Sequence, residues 1–325
     1  MPEAEPSGTA TAPPIVPPRE GAPQALDQLE LVESVEVAPT VEVAAREQRL
    51  GLGGVLAIGW LVLVAGAALL APVLPLDDPD ANFAAIARQG PGTEGHIFGG
   101  DGLGRDLLSR AVWGARSSLL LSVSAVLLGL VIGGLLGLVA GYFRGRLDST
   151  LTGLFDVLLS FPQLILAITL VTVFAGGAVS STRRMVVLIL ALGVVSIPVL
   201  ARITRANTLS WSQREFVLAA RSVGTRHRSI MFREVLPNVL PAMFSITLLG
   251  IAVVIVAEGG LSILGVGVQL PTPSWGNIIA EGRGDLRRAP HIVLIPTAII
   301  FLTVLALNYL GDVIRARFDV RESAL

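Results

Sequence analysis

The sequence predicts an all-α membrane protein with six transmembrane helices. Apolar residues of the set AVILMFWYC make up 52% of the 325 residues, and charged residues only 15%, compared with about a quarter in soluble domains. Six mostly apolar stretches are each about as long as the ~20 residues that span a bilayer. Because backbone groups in lipid must form hydrogen bonds within their own segment, such stretches are helices. They cover residues 51–76, 117–143, 151–175, 185–203, 242–268 and 292–311.

Residues 1–50, before the first apolar stretch, have a different composition. They contain eight Pro and nine acidic residues against three Arg, a net charge of −6, whereas the remainder of the chain carries +5. Such a segment buries too little apolar surface to offset the entropy of ordering, so we predict a disordered, Pro-rich acidic tail. Its second half alternates apolar and acidic residues, which leaves a half-buried strand as the alternative.

The stretch at 51–76 is interpreted as a retained first transmembrane helix. A cleaved signal peptide is the alternative, but its apolar region is usually ~7–15 residues long and lies closer to the N-terminus. Arg46 and Arg49 precede the stretch. Together with a modest excess of Arg in the other segments on this side, they favour cytoplasmic N- and C-termini, with 312–325 as a cytoplasmic tail.

Residues 77–116 form the predicted outer loop between the first and second spans. Near its end, charged and hydroxyl side chains are spaced like the polar face of a short interfacial helix. They are Arg105, Asp106, Ser109, Arg110 and Arg116. Local salt bridges on an exposed face are one role that this spacing allows.

Glycine and proline residues in the remaining spans predict local features of the helices. Four glycines lie four residues apart on one face of the second span, where they let another helix approach closely. They are Gly129, Gly133, Gly137 and Gly141. Three prolines lie inside later spans, and each removes a backbone donor, so kinks are predicted at Pro162, Pro198 and Pro296.

Several classes of site are excluded by absent residue types. The chain contains no Lys, so it has neither a GxxxxGK[ST] phosphate-binding loop nor a Schiff-base lysine. It contains no Cys, which excludes disulfides and cysteine chemistry. The three His residues, His96, His227 and His291, lack metal-ligand spacing, so no metal site is predicted.

The loop at 202–238, predicted to lie inside, is the most informative segment. It carries seven Arg against two Glu. Residues 216–223 are compatible with a helix, and Gly224 then suits a left-handed helix end. Thr225 or Ser229 can begin a second helix, and Pro237 suits the first turn of the fifth span. A basic, partly apolar helix–Gly–helix is suited to docking in the groove of a partner.

This loop resembles the "EAA" loop of the membrane subunits of bacterial ABC importers. The resemblance rests on Ala219-Ala220, Gly224 and Leu236-Pro237 and on their spacing. Two positions depart from the motif: its Glu falls on Leu218, and its Ile falls on Glu234.

Three further stretches resemble the dipeptide/oligopeptide/nickel permeases, of the second permease type. They are GGDGLGRDLLSR with GARSSL at 99–119, AEGGLSILGVGVQLPTPSWG at 257–276 and LNYLGDVIRARFDVR at 307–321. The resemblance covers about residues 50–321, nearly everything except the acidic tail. It implies a type I ABC importer fold with a permease core at 117–311, in the inner membrane of a bacterium.

The resemblance also implies the partners. They are a second permease subunit, two ATPase subunits that bind ATP and Mg, and an extracytoplasmic binding protein that delivers short peptides. The chain itself is then neither an enzyme nor a binder of a cofactor. A nickel or other small-solute permease, an ion-coupled secondary transporter and a non-transporting scaffold are the alternatives.

Three sets of candidate site residues follow. ATPase docking is expected at Arg214, Glu215, Ala219, Ala220, Arg221, Gly224, Arg228, Leu236 and Pro237. An outer gate or a contact with the binding protein is expected at Arg105, Asp106, Arg110 and Trp275, where Trp275 can also anchor at the lipid interface. Glu258, near the centre of the fifth predicted span, is expected either to line the pathway or to anchor a neighbouring helix by hydrogen bonds.

Overall fold

The computed structural model describes residues 51–177 and 180–322, with side chains as far as Ala316. The predicted tail of residues 1–50 lies outside these ranges. The secondary structure within them is helical, apart from one isolated bridge between Gly100 and Asp106. The helices are α1 (Leu52–Leu70), α2 (Leu107–Phe143), α3 (Gly145–Ser160), α4 (Gln163–Ala175), α5 (Ser181–Trp211), α6 (Glu215–Ser222), α7 (His227–Ile263), α8 (Trp275–Gly282) and α9 (His291–Glu322).

Five helices, namely α1, α2, α5, α7 and α9, are long and apolar enough to cross a membrane. The predicted third span is instead divided into α3 and α4, which meet at an angle of 85°. The reason lies at Pro162, which lacks a backbone donor and holds Phe161 in an extended conformation with φ −83° and ψ 135°. The structure therefore has six spans if the bent pair is one of them. Pro198 and Pro296 lie inside α5 and α9, which continue past them.

Several helices extend beyond the apolar stretches that predicted them. α2 begins at Leu107, so the predicted interfacial helix of the outer loop is the first part of α2 itself. α9 continues to Glu322, so most of the predicted C-terminal tail is helical. α7 ends at Ile263, before the predicted end at 268. An apolar stretch marks only the length of a helix that can lie within the hydrocarbon core, whereas helical hydrogen bonds continue into polar sequence.

The glycine face of α2 packs directly on α5. A methyl group placed on Gly133 would lie 2.5 Å from the carbonyl oxygen of Ile197, and one on Gly137 would overlap the carbonyl oxygen of Ala201. These approaches need glycine, since real Cβ atoms do not come this close to backbone. The prediction that this face packs on another helix is confirmed, and the partner helix is α5.

Two clusters of buried apolar side chains lie within the described part of the chain. The larger joins α2, α4, α5 and α7, with contributions from α1, α8 and α9. The smaller lies under α6, where Val217 packs against one end of α2 and the beginning of α7. The short helices α6 and α8 lie at opposite ends of the bundle, and we refer to these ends as the α6 end and the α8 end.

Candidate functional site

The segment from Arg214 to Pro237 contains the first helix and the left-handed glycine turn that its sequence predicts. α6 runs from Glu215 to Ser222, and Gly224 has φ +82° with no heavy atom within 4 Å of the position that a Cβ would occupy. The second helix begins at His227 rather than at Thr225 or Ser229. Pro237 stands in the first turn of the regular part of α7, after a π-helical segment, Ile230–Val235. Pro237 donates no hydrogen bond, which interrupts the α-helical pattern at this point.

The surface of α6 divides into an anchored face and a free face. Val217 is fully buried, and Ala220 is half-buried against the same cluster. Leu218 and Val223 are 50% and 85% exposed. Such an exposed apolar surface beside arginines is typical of a contact with another protein. The exposed members of the predicted docking set are Glu215, Ala219, Arg221, Gly224, Arg228 and Pro237, and the half-buried ones are Arg214, Ala220 and Leu236.

Two arginines of this loop lie over aromatic rings of the same chain. The guanidinium of Arg214 is 5.2 Å from the ring centroid of Trp211, and that of Arg221 is 5.1 Å from that of Tyr142. Cation–π contacts of this kind hold a long side chain in place without neutralising its charge. Both guanidinium groups thus keep a positive charge on a fixed part of the loop.

At the α8 end, buried charges join the loop before α2 to α8. Arg105 Nε donates to Asp101 at 2.6 Å, and its Nη2 lies 3.1 Å from Glu281. Arg110 has no exposed surface and donates to the same Glu281 carboxylate at 2.8 Å. The prediction that Arg105 and Arg110 lie on an exposed polar face is therefore wrong. Both face inward because Asp101 and Glu281 supply compensating charges there.

Asp106 begins α2 rather than facing solvent. Its side chain accepts a hydrogen bond of 2.7 Å from the backbone of Ser109, which is a helix N-cap. The same carboxylate is 2.9 Å from Nδ1 of His96, and Asp77 lies 3.6 Å from that nitrogen. No sequence pattern predicts this group, because its members come from separate turns. Two carboxylates and an imidazole are ligand types that cations use, and their ligand atoms lie within 4.8 Å of one another.

Trp275 is completely buried, so the predicted contact with lipid or with a delivery protein is wrong for this structure. Its indole Nε1 donates to the carbonyl oxygen of Ala111 at 3.0 Å, and its backbone N–H donates to Ser118 Oγ at 3.1 Å. Gly114 has no side chain where the backbone of Trp275 crosses α2. The ring therefore packs α8 against α2.

Glu258 lies near the end of α7, only five residues before Ile263, and is 1% exposed. Its carboxylate accepts hydrogen bonds from Ser262 Oγ at 2.7 Å and Ser274 Oγ at 2.9 Å. The backbone N–H groups of Val268 and Gly276 also interact favourably with it. Two hydroxyl donors, two backbone N–H groups and almost complete burial favour the anchoring role over the pathway role.

The remaining charges of the bundle include contacts that no sequence pattern predicts. Arg205 of α5 forms an ion pair with Asp148 of α3, with Nη2 2.7 Å from Oδ2, and Arg202 pairs with Asp156. Arg184 is buried and donates to the carbonyl oxygens of Ala175 and Gly267. These contacts hold both halves of the bent pair against α5.

Comparisons with known proteins agree with this architecture. Residues 133–323 match the family described as "Binding-protein-dependent transport system inner membrane component". The chain is 38% identical over 259 residues, 80% of its length, to the glutathione transport system permease protein GsiD of Pectobacterium atrosepticum, of which 83% is covered. It is 37% identical over 296 residues to the GsiD of Escherichia coli O6:K15:H31, covering 91% of this chain and 95% of the relative.

Solved structures share the fold. An inward-facing crystal structure of the MetNI methionine ABC transporter aligns with a TM-score of 0.54 at 19% identity, over 65% of this chain and 97% of that one. A second crystal form of the same transporter aligns with a TM-score of 0.53 at 21% identity, over 65% and 95% of the two chains. At these identities the likeness concerns the fold alone.

Proposed function

The chain belongs to the binding-protein-dependent ABC importer permeases of the peptide family, and from this premise we propose that it forms half of a translocation pathway for short peptides. It is a membrane subunit and not an enzyme, since ATP hydrolysis in this family belongs to partner subunits. The relatives are named for glutathione, a small peptide, and this name supports a peptide-like cargo. The near full-length similarity to them is the observation on which the proposal rests.

The docking surface proposed for the ATPase subunits is the free face of α6 with the turn at Gly224. This face combines exposed apolar side chains, including Leu218 and Val223, with the fixed charges of Arg214 and Arg221. An apolar patch with a basic rim fits a groove that is apolar inside and acidic at its edge. Because the ATPase subunits are cytoplasmic, this proposal places the α6 end, and both termini, on the cytoplasmic side.

The complete importer then contains four kinds of component. This chain and a second permease subunit enclose the pathway, and two ATPase subunits bind ATP and Mg at the α6 end. An extracytoplasmic binding protein delivers the cargo at the α8 end. The ion cluster of Arg105, Arg110 and Glu281 supports that surface from within, and its two arginines are buried beneath it.

Transport in proteoliposomes tests the proposal. The chain is reconstituted with its second permease, ATPase and binding-protein partners, and uptake of glutathione, a dipeptide, a tetrapeptide and Ni²⁺ is measured with and without ATP. Peptide uptake that requires both ATP and the binding protein is expected. Uptake of Ni²⁺ alone would contradict a peptide cargo, and peptide uptake that continues without ATP would contradict the importer mechanism.

A further inference from the structure

One side chain contacts both sides of the Gly224 turn. Tyr142, in the last turn of α2, is 4% exposed. Its hydroxyl shares a hydrogen bond of 3.0 Å with Nδ1 of His227, the first residue of α7. The guanidinium of Arg221, near the end of α6, lies 5.1 Å from the centroid of the same ring. Tyr142 therefore connects a third helix to the two helices that flank the turn.

The ring of Tyr142 also belongs to the apolar cluster under α6. That cluster contains Leu138 from α2 and Val217 from α6, together with five residues of α7. The five are Ile230, Met231, Val235, Val239 and Met243. A movement of α6 away from the end of α2 exposes this apolar surface and breaks the polar contacts of Tyr142, so the two elements are held together in both ways.

The end of α2 is in turn fixed to α5. A methyl group on Gly141, the residue before Tyr142, would lie 2.6 Å from the carbonyl oxygen of Arg205. With the approaches at Gly133 and Gly137, this contact joins the two backbones over several helical turns. Because α2 and α5 are packed this closely along their backbones, we expect them to move together.

We propose that Tyr142 is a positioning residue that transmits the movement of α6 to the paired helices α2 and α5. This inference rests on the docking function proposed above for α6. Apart from the apolar packing of Val217, α6 is otherwise joined to the bundle by the chain on either side, and on one side this chain passes through Gly224 in the left-handed conformation. A turn of this kind permits rotation, so the contacts at Tyr142 transmit a movement that the backbone alone transmits poorly.

Two substitutions remove the shared hydrogen bond from opposite sides. Tyr142→Phe keeps the ring, its packing and the cation–π contact, whereas His227→Phe keeps a ring but removes the nitrogen. Tyr309→Phe is the matched control, because it removes the other tyrosine hydroxyl of the chain, which lies near Gly53 of α1 and far in sequence from this loop.

The readout is the amount of peptide transported for each ATP hydrolysed by the complete complex in proteoliposomes. The probe is radiolabelled glutathione, or whichever peptide of the panel above the unsubstituted complex transports best. We expect Tyr142→Phe and His227→Phe each to lower this ratio about fivefold, the coupling carried by one hydrogen bond. The double variant is expected to lose no more than either single one, and Tyr309→Phe to keep the original ratio. The ATPase subunits co-purify with all four variants, because the free face of α6 is intact.

The outcomes separate this inference from the proposed function. If the unsubstituted complex shows no ATP-driven uptake, the proposed function is wrong. If that complex transports peptide and the ratio is unchanged in Tyr142→Phe, or in His227→Phe where Tyr142→Phe does not assemble, the positioning role is wrong. A double variant whose loss equals the product of the two single losses also contradicts a shared contact.

Discussion

Arg110 and Glu281, 171 residues apart in sequence, are joined by a 2.8 Å hydrogen bond, and Arg110 has no surface exposed to solvent. Arg105 shares the same carboxylate and also pairs with Asp101. The loop that precedes α2 is therefore tied to α8 by charges that compensate one another. Removing one member of such a cluster leaves uncompensated buried charge, which costs far more stability than replacing the whole cluster by uncharged residues. Substitution of a single charged member is therefore expected to destabilise this end.

Glu281→Gln is expected to destabilise the protein by about 2–3 kcal/mol, because it leaves two buried or nearly buried arginines short of one negative charge. The range allows for the 29% exposure of the Glu281 side chain. The midpoint of thermal unfolding of the purified complex in detergent measures the loss. The matched control is Arg88→Gln, which breaks the ion pair with Asp285 while Arg88 is 48% exposed, and it is expected to cost less than ~1 kcal/mol. Equal losses in the two variants would contradict the buried cluster.

Gly224→Leu is expected to leave the chain inserted but to weaken docking of the ATPase subunits or to uncouple hydrolysis from uptake. A branched side chain costs about 1–2 kcal/mol in the left-handed backbone that Gly224 adopts, and it adds bulk to the proposed docking surface. Gly224→Asn, which tolerates this conformation, is expected to be milder. Gly59→Leu is the control, since Gly59 of α1 has open space around it. Co-purification and uptake per ATP are the measurements, and normal values for both in Gly224→Leu would overturn the docking assignment.

Glu258→Gln is expected to reduce stability by about 2–4 kcal/mol, because an amide nitrogen takes the place of a carboxylate oxygen among groups that face it with donors. Those groups are Ser262 Oγ, Ser274 Oγ and two backbone N–H groups. The yield and the unfolding midpoint measure this effect, and the surviving complex is expected to keep its preference among the peptides of the uptake panel. Normal expression with an altered preference would instead support a pathway role.

Gly137→Ala is expected to separate α2 from α5 and to cost more than ~2 kcal/mol, since the added methyl overlaps the backbone of Ala201. Gly153→Ala in α3 is the matched control, because nothing lies within 4 Å of the position of its Cβ. That substitution is expected to be neutral or to stabilise by up to ~1 kcal/mol, as alanine favours a helix. A thermal unfolding series of the two variants compares them directly, and a neutral Gly137→Ala would contradict the close packing.

Much of the fold could be predicted from the sequence, because lipid requires long apolar stretches that are recognisable locally. Apolar stretches long enough to span a bilayer give the helices, the four-residue spacing of glycine gives the α2 face, and Gly224 gives the left-handed turn between α6 and α7. Each of these features depends only on residues that are close together in the sequence. Their recognition needs no knowledge of what packs against them.

The contacts at the α8 end could not be predicted from the sequence in this way. Arginine and an interfacial tryptophan usually face water or headgroups, so Arg105, Arg110 and Trp275 were expected on a surface. Their burial depends on Glu281 and on the Ala111 carbonyl, which are distant from them in sequence or belong to the backbone. The contact between Tyr142 and His227 is unpredictable for the same reason, since His227 lies 85 residues further along the chain.

The bend between α3 and α4 has a consequence for water. At 1.5 Å per residue, the 16 and 13 residues of these helices extend about 24 and 20 Å, each shorter than the ~30 Å hydrocarbon core. Phe161 lies outside both helices, so its backbone groups need partners other than lipid tails, such as another protein chain or a hydrated cavity. Phe161 is 52% exposed in this single chain. The elbow thus marks a place within the thickness of the membrane where water or another protein chain is expected to reach the backbone.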